Sequence, residues 1–183
     1  MQQEKKFNNK PNSHVKVYHK SSNGKFECDY WISRSIAVVG VIFAHHKNQV
    51  NVLITQRSER MVDEPYKFGV PCGYLDWEET IYFAMMREVY EETSFFMPDF
   101  EKLLLFNNDK QPFLIKDDPK KDKRQNVSFV YLSSYDFRNE NEEKFPYDVE
   151  AFRNKETNLV KWMSINDFFL SYKNYGWAFN HDE

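Results

Sequence analysis

Gly73-Tyr-Leu-Asp-Trp-Glu-Glu79-Thr-Ile-Tyr-Phe-Ala-Met-Met-Arg87-Glu88-Val-Tyr-Glu91-Glu92-Thr-Ser94-Phe95 is the stretch on which the fold of this chain turns. Glu88, Glu91 and Glu92 stand at i, i+3 and i+4. On a helix turning about 100° per residue, their carboxylates share one face within roughly one turn. Like charges at that spacing repel, each pair costing an isolated helix roughly 0.2–0.5 kcal/mol. Ile81, Met85 and Val89 recur at i, i+4 and i+8 with Ala84 beside them, an apolar stripe lying largely opposite the glutamates. The spacing predicts a helix that begins at Glu79 or Thr80, buries the stripe against a sheet and offers ligands on its other side. Asp76, Glu78 and Glu79 at its start complement the positive end of the helix dipole.

Outward from this helix the chain reads as strands. Ser35-Ile-Ala-Val-Val-Gly-Val-Ile-Phe-Ala44 is a continuous run of β-formers, as expected of a buried central strand. His45-His-Lys-Asn48 reads as a turn into a second strand, Val50 to Thr55, so residues 35–55 form a hairpin. The histidine pair is read as part of a solvated turn, with a metal site as the alternative. Residues 58–67 make a loop leading to Phe68-Gly-Val-Pro-Cys-Gly73. Further strands are expected at Leu103–Phe106, Asn126–Leu132 and Leu159–Trp162, with a charged loop at 117–124 and a long polar surface loop at 136–157. Ser164 is a good N-cap for a second helix reaching about Tyr172. Strands interleaved with two helices give an α/β class.

The 183 residues suffice for one domain with its own core, and 41% hydrophobic and 17% aromatic content support a packed, ring-rich interior. Residues 1–30 read as a polar N-terminal arm with room for a short edge strand, and residues 31–183 as a single domain. A net charge of −3 gives no electrostatic case for a nucleic-acid polymer or an anionic membrane as partner. An anionic ligand would need local cations, supplied by a metal or by individual Arg and Lys side chains. Cys28 and Cys72 form neither a disulfide framework nor a metal spacing, which fits a reducing, cytoplasmic setting. No apolar run is long enough to span a membrane.

The central stretch resembles the signature box of the Nudix hydrolases: Gly, five residues, Glu, seven residues, Arg-Glu, apolar, any, Glu-Glu, any, Gly, apolar. Gly73, Glu79, Arg87, Glu88, Val89, Glu91, Glu92 and Phe95 fill the pattern in register, and Ser94 replaces the closing glycine. The resemblance implies the Nudix fold, a mixed β-sheet sandwiched between α-helices. It also implies a metal-dependent pyrophosphohydrolase, in which water attacks phosphorus and splits a nucleoside diphosphate from another moiety. Charge neutralisation and positioning dominate such chemistry. The implied cofactor is Mg²⁺, a hard cation bound by carboxylate oxygens, with Mn²⁺ as a substitute. Glu88 and Glu92 are expected to hold it, with Glu91 as a third ligand or a supporting group. Glu88 is also a candidate for activating the water. Arg87 is expected to pair with Glu79 or Glu91 and fix the carboxylates, and Glu79 to reach the metal through water. Gly73 is expected to let backbone approach the metal, with the Cys72 carbonyl as a donor; a nucleophilic Cys72 is the competing reading. Serine at position 94 would cost about 1 kcal/mol if the glycine geometry is kept.

Outside the box, the resemblance makes Arg57 a candidate for substrate phosphate, with a solvated arginine as the alternative, and Arg124 in the charged loop is a second. By the same resemblance Glu156 is a candidate for a further catalytic or metal-binding carboxylate, in competition with Glu140, Glu142 and Glu143. The 118–131 segment and Trp177-Ala-Phe-Asn-His181 are similar to ADP-ribose pyrophosphatase-like members. The expected partner is a small-molecule nucleotide, ADP-ribose-like first. An oxidised nucleoside triphosphate, a dinucleoside polyphosphate and a nucleotide sugar are alternatives. A non-catalytic nucleotide sensor and a homodimer both remain open.

Overall fold

The computed structural model describes residues 13–21, 24–96, 104–105, 110–119, 126–138, 145, 147–171 and 176–180. The chain separates into two units, Met1–Ser35 and Ile36–Glu183. The first holds β1 (Ser13–Ser21) and β2 (Gly24–Ile32), antiparallel in continuous register from Ser13↔Ile32 to Ser21↔Gly24. Gly24 enters β2 at φ +120°, a value that side chains rarely tolerate. Where a short edge strand was expected, two nine-residue strands pair as a sheet of their own.

The second unit is built on β3 (Ile36–His46), whose apolar run alternates faces as a strand must. Val38, Ile42 and Ala44 are fully buried on one face; Val39, Val41 and Phe43 point to the other. β4 (Gln49–Arg57) returns antiparallel, completing the expected hairpin, with Phe43↔Val52 to His46↔Gln49 in register. The turn lies at Lys47 and Asn48, Lys47 taking φ 53°. His46 therefore does not belong to a solvated turn: it closes β3, is 5% exposed, and stacks on Phe145 with ring centroids 4.3 Å apart.

β3 and β4 pair only at this closed end. Toward the open end β4 pairs with β5 (Phe68–Gly69), whereas β3 pairs with β6 (Cys72–Tyr74). The 68–74 segment therefore crosses from one strand to the other where they diverge, held midway by Gly40 N–H donating to Pro71 O at 2.9 Å. β9 (Val127–Asp136) runs parallel to β3, and β10 (Thr157–Ser164) antiparallel to β4. With β7 (Leu104–Leu105) and β8 (Leu114–Lys116) on β9, the principal order is β10-β4-β3-β9-β7. The sheet is mixed, as the resemblance implied.

α1 (Ile81–Thr93) covers one face of that sheet. Thr80 is its N-cap, the hydroxyl accepting from Phe83 N–H at 3.3 Å. The predicted stripe faces inward: Ala84, Met85 and Val89 have no exposure, each of the larger two contributing about 1.5–3 kcal/mol by burial. Gly40 allows the close approach, since a Cβ there would lie 2.7 Å from Val89 Cγ2. α2 (Ile165–Ser171) starts from Ser164, whose hydroxyl accepts from Asp167 N–H at 3.1 Å. Its Ile165 and Phe168 pack with Val52, Ile54, Met163 and Trp177 on the opposite face. The 136–157 segment departs from the surface loop expected. It contains a 3-10 turn at Tyr147–Ala151 and buries Phe145 and Val149 in the α1-side core, because its few apolar residues outweigh its polar average.

Candidate functional site

Arg87 organises the acidic face of α1. Its Nη2 and Nε donate to the two oxygens of Glu79 at 2.7 and 3.1 Å, a bidentate fork. Nη1 donates to Glu88 Oε1 at 2.7 Å and to Glu91 Oε2 at 3.0 Å, and Nη2 also reaches Tyr74 O at 2.9 Å. Arg87 thus serves both expected partners at once. Bonding to Arg87 holds the Glu79 carboxyl below its ordinary range. The same carboxylate accepts from Asp76 N–H at 2.8 Å. Asp76, Glu78 and Glu79 all precede the Thr80 cap, and the first helical turn carries no acid. The dipole role expected of them gives way, for Glu79, to clamping the entry loop onto Arg87.

Glu88 and Glu92 are only 9% and 6% exposed. Their side of α1 faces the β5–β6 crossing rather than solvent. Glu92 Oε2 accepts from Cys72 N–H at 3.2 Å, yet burial pushes its carboxyl up from an ordinary 4.5 to about 8. Burial raises Glu88 as well, partly offset by Arg87. The charge of Glu88 further disfavours that of Glu92. Gly73 lies directly beneath: a Cβ there would sit 2.1 Å from Glu88 Cδ and within 2.3 Å of both carboxyl oxygens. Its φ is not positive, so the glycine is required by close approach and not by backbone conformation. Cys72 likewise keeps ordinary φ and forms no disulfide, and the group it directs at Glu92 is its N–H.

This donor set suits a hard divalent cation. Two desolvated carboxylates that repel one another, one of them packed against a glycine that leaves no room for a methyl group, are stabilised by positive charge between them. Among the described residues no three His, Cys, Asp or Glu side chains stand in metal-binding geometry; Arg87 holds one oxygen each of Glu88 and Glu91.

Arg57, at the end of β4, lines a cleft with Glu92, together with Thr55, Cys72 and Phe179. Its guanidinium lies over the Phe179 ring at 4.7 Å, its Nε donates to Asp63 O at 3.1 Å, and its charge favours the ionised form of Glu92. Glu156 is exposed at the foot of β10 and exerts a like-charge influence on both Glu88 and Glu92. Arg57, Glu79, Arg87, Glu88, Glu91, Glu92, Glu156, Cys72 and Gly73 thus occupy one region. Arg124, Glu140, Glu142, Glu143 and His181 lie outside the described residues. Ser94 takes φ 59°, ψ 7°, the left-handed geometry of the glycine it replaces, and its N–H caps Tyr90 O at 2.7 Å.

Phe179 falls in the Trp177–His181 stretch, but sequence reasoning assigns neither it nor Asn154 a role. Phe179 also adopts a left-handed φ of 54°, secured by its N–H donating to Glu64 Oε2 at 2.7 Å. Asn154 Nδ2 donates to Glu91 O at 2.7 Å across 63 residues of sequence. Neither has a local signal, because each is defined by a partner far along the chain.

A family model described as the NUDIX domain matches residues 34–181. No match was found among curated proteins. Among solved structures the chain is similar to a MutT/nudix family protein from Enterococcus faecalis (TM-score 0.55, 20% identity), covering 74% of this chain but 45% of that one, so it spans less than half its length. It is similar to the Nudix domain of Shewanella oneidensis NrtR complexed with ADP-ribose (TM-score 0.55, 19% identity, 82% of each chain). It is also similar to a C. elegans Ap4A hydrolase (TM-score 0.50, 20% identity, 73% of this chain and 82% of that one). At these identities the structural likeness speaks for the fold. The family match spans most of the chain and contains the Gly73–Phe95 box with its Arg87 clamp: the chain belongs to the Nudix family.

Proposed function

We propose that the chain is a divalent-metal-dependent pyrophosphohydrolase acting on a nucleoside diphosphate linked to another group, with ADP-ribose-like compounds favoured. Members of this family are typically hydrolases. The observation that carries the reading is the buried Glu88–Glu92 pair, with the Glu88 carboxylate packed against Gly73 and Glu92 lining a cleft with Arg57. Glu88 and Glu92 would hold Mg²⁺ or Mn²⁺, with Glu91, the water-linked Glu79 and the backbone at Cys72 and Gly73 in support. When bound, the ion neutralises phosphate charge and lowers the pKa of water.

The chain's own residues do the rest. Arg57, braced by Phe179 and the Asp63 carbonyl, offers a cation to a substrate phosphate. Arg124, from the charged loop, is a second candidate for that role. Arg87 keeps Glu79, Glu88 and Glu91 in fixed orientation, which limits the reorganisation needed at reaction. Glu88 and Glu156 are the candidates to take the proton from the attacking water as the bridging P–O bond breaks. The setting expected for such a reaction is the cytoplasm, and no described helix is long and apolar enough to cross a membrane.

A substrate panel tests the proposal: ADP-ribose, dinucleoside polyphosphates, nucleotide sugars and oxidised nucleoside triphosphates with Mg²⁺ or Mn²⁺, products separated by chromatography. Turnover of a diphosphate-linked compound that stops with EDTA is expected. A second reading, nucleotide sensing without cleavage, draws on the engagement of Glu88 and Glu91 by Arg87. Tight binding of one nucleotide with turnover of none would favour it.

A further inference from the structure

We propose that Asn154 is a positioning residue for Glu156: its amide clips the loop before β10 to the last turn of α1 and so fixes where Glu156 stands relative to Glu88 and Glu92. The proposal rests on the reading of those three carboxylates as one hydrolytic site, and deepens it.

α1 ends at Thr93, so its last carbonyls lack N–H donors within the helix. Ser94 N–H satisfies Tyr90 O. Glu91 O is satisfied from outside, by Asn154 Nδ2 at 2.7 Å. The other end of the same amide, Oδ1, accepts from Glu156 N–H at 2.8 Å and Thr157 N–H at 2.7 Å. One side chain therefore joins the box helix to the backbone that carries Glu156. Only a primary amide of this length supplies the donor and the acceptor together; aspartate keeps the acceptor and loses the donor.

The loop is held from its other side as well. Ser58, 2% exposed and adjacent to Arg57, donates through N–H to Glu156 O at 2.7 Å and through its hydroxyl to Lys155 O at 2.6 Å. A register irregularity between Thr157 and Leu159 then interrupts the pairing with β4. Bulges of this kind re-aim neighbouring side chains, often beside active sites. Glu156 is thus exposed as a side chain but fixed as backbone, with α1 on one flank and Arg57 on the other. Its like-charge influence on Glu88 and Glu92 places it within electrostatic reach of both.

A double-mutant cycle on the full chain tests this: wild type, Asn154→Ala, Glu156→Gln and the double variant. Mn²⁺ affinity is read by electron paramagnetic resonance, and kcat and KM on the best substrate of the panel. Loss of a residue that orients a site ligand lowers affinity or activity about 10–100-fold. We expect Asn154→Ala to lower kcat in that range with little change in KM. Both single variants should weaken Mn²⁺ binding, and the double variant should be no worse than Glu156→Gln alone. Effects of the two substitutions that multiply would overturn the proposal, since Asn154 would then act independently of Glu156. So would a folded Asn154→Ala protein with unchanged kcat and Mn²⁺ affinity. Where alanine prevents folding, Asn154→Ser keeps an acceptor for the two amides but cannot reach Glu91 O, and takes its place in the cycle. A wild-type protein that cleaves nothing, yet shows a non-multiplying Mn²⁺ cycle, sinks the hydrolase reading and leaves the positioning role standing.

Discussion

Glu92 carries a conflict between burial and charge. Its folded carboxyl titrates near 8 because burial outweighs the Cys72 N–H and the attraction of Arg57; an unfolded one titrates near 4.5. Between those values the folded chain binds more protons than the unfolded one, so stability falls as pH rises from about 4.5 to about 8. Without a cation, the protein is therefore expected to be more stable at pH 5 than at pH 8. Glu92→Gln, neutral at every pH, should flatten that dependence and raise the pH 8 melting temperature in EDTA, while lowering turnover by orders of magnitude. Thermal melts across pH with and without the substitution check this; an equally steep fall in the variant would mean another group controls it. Gly73 makes a companion case. A Cβ at 2.1 Å from Glu88 Cδ must displace that carboxylate, so Gly73→Ala should keep a native circular dichroism spectrum but weaken Mn²⁺ binding about 10-fold or more. Unchanged affinity would show that Glu88 has freedom to move.

At the level of the element, α1 works because one guanidinium ties its acidic face to the loop that precedes it. Arg87→Lys retains the charge but cannot serve Glu79 in a fork while also reaching Glu88, Glu91 and Tyr74 O. Abandoning acceptors of which Glu88 is buried and Glu79 half-buried should lower stability by about 1–3 kcal/mol, measured by urea denaturation, with activity falling in parallel. A lysine variant as stable as wild type would reduce the network to a surface ion pair. This clamp was legible in the sequence, as were the stripe Met85–Val89 and the β3–β4 hairpin, because their determinants lie within a turn or a strand of each other. The Asn154 clip and the left-handed Phe179 were not legible, since each depends on contacts 63 and 115 residues away. The burial of Glu88 and Glu92 was missed for a related reason: helical spacing says which residues share a face, not what crosses over that face. Here the crossing is the two-residue β5 and three-residue β6, too short to show a period.

For the molecule as a whole, the functional region follows from a divergence in the sheet. β3 and β4 part after four paired positions, the 68–74 segment bridges the gap, and the cleft forms under that bridge. Sequence patterning gave β3, β4, β9, β10 and the α/β class, and the resemblance the mixed sheet, but neither gave this splitting, which depends on pairings between non-adjacent segments. Among the described residues, the members of both hydrophobic clusters begin at Val38, and the family match begins at residue 34. The hairpin before it has its own continuous pairing. The expectation of a single folding domain over residues 31–183 can therefore be put to a direct trial by removing residues 1–30. The shortened chain should unfold cooperatively, bind Mn²⁺ with unchanged affinity, and melt within about 4 °C of the full chain, equivalent to roughly 1 kcal/mol for a domain of this size. A broad transition with lost near-ultraviolet dichroism would mean that the larger unit needs the hairpin to complete its packing, and that the boundary near residue 35 does not mark an independent domain.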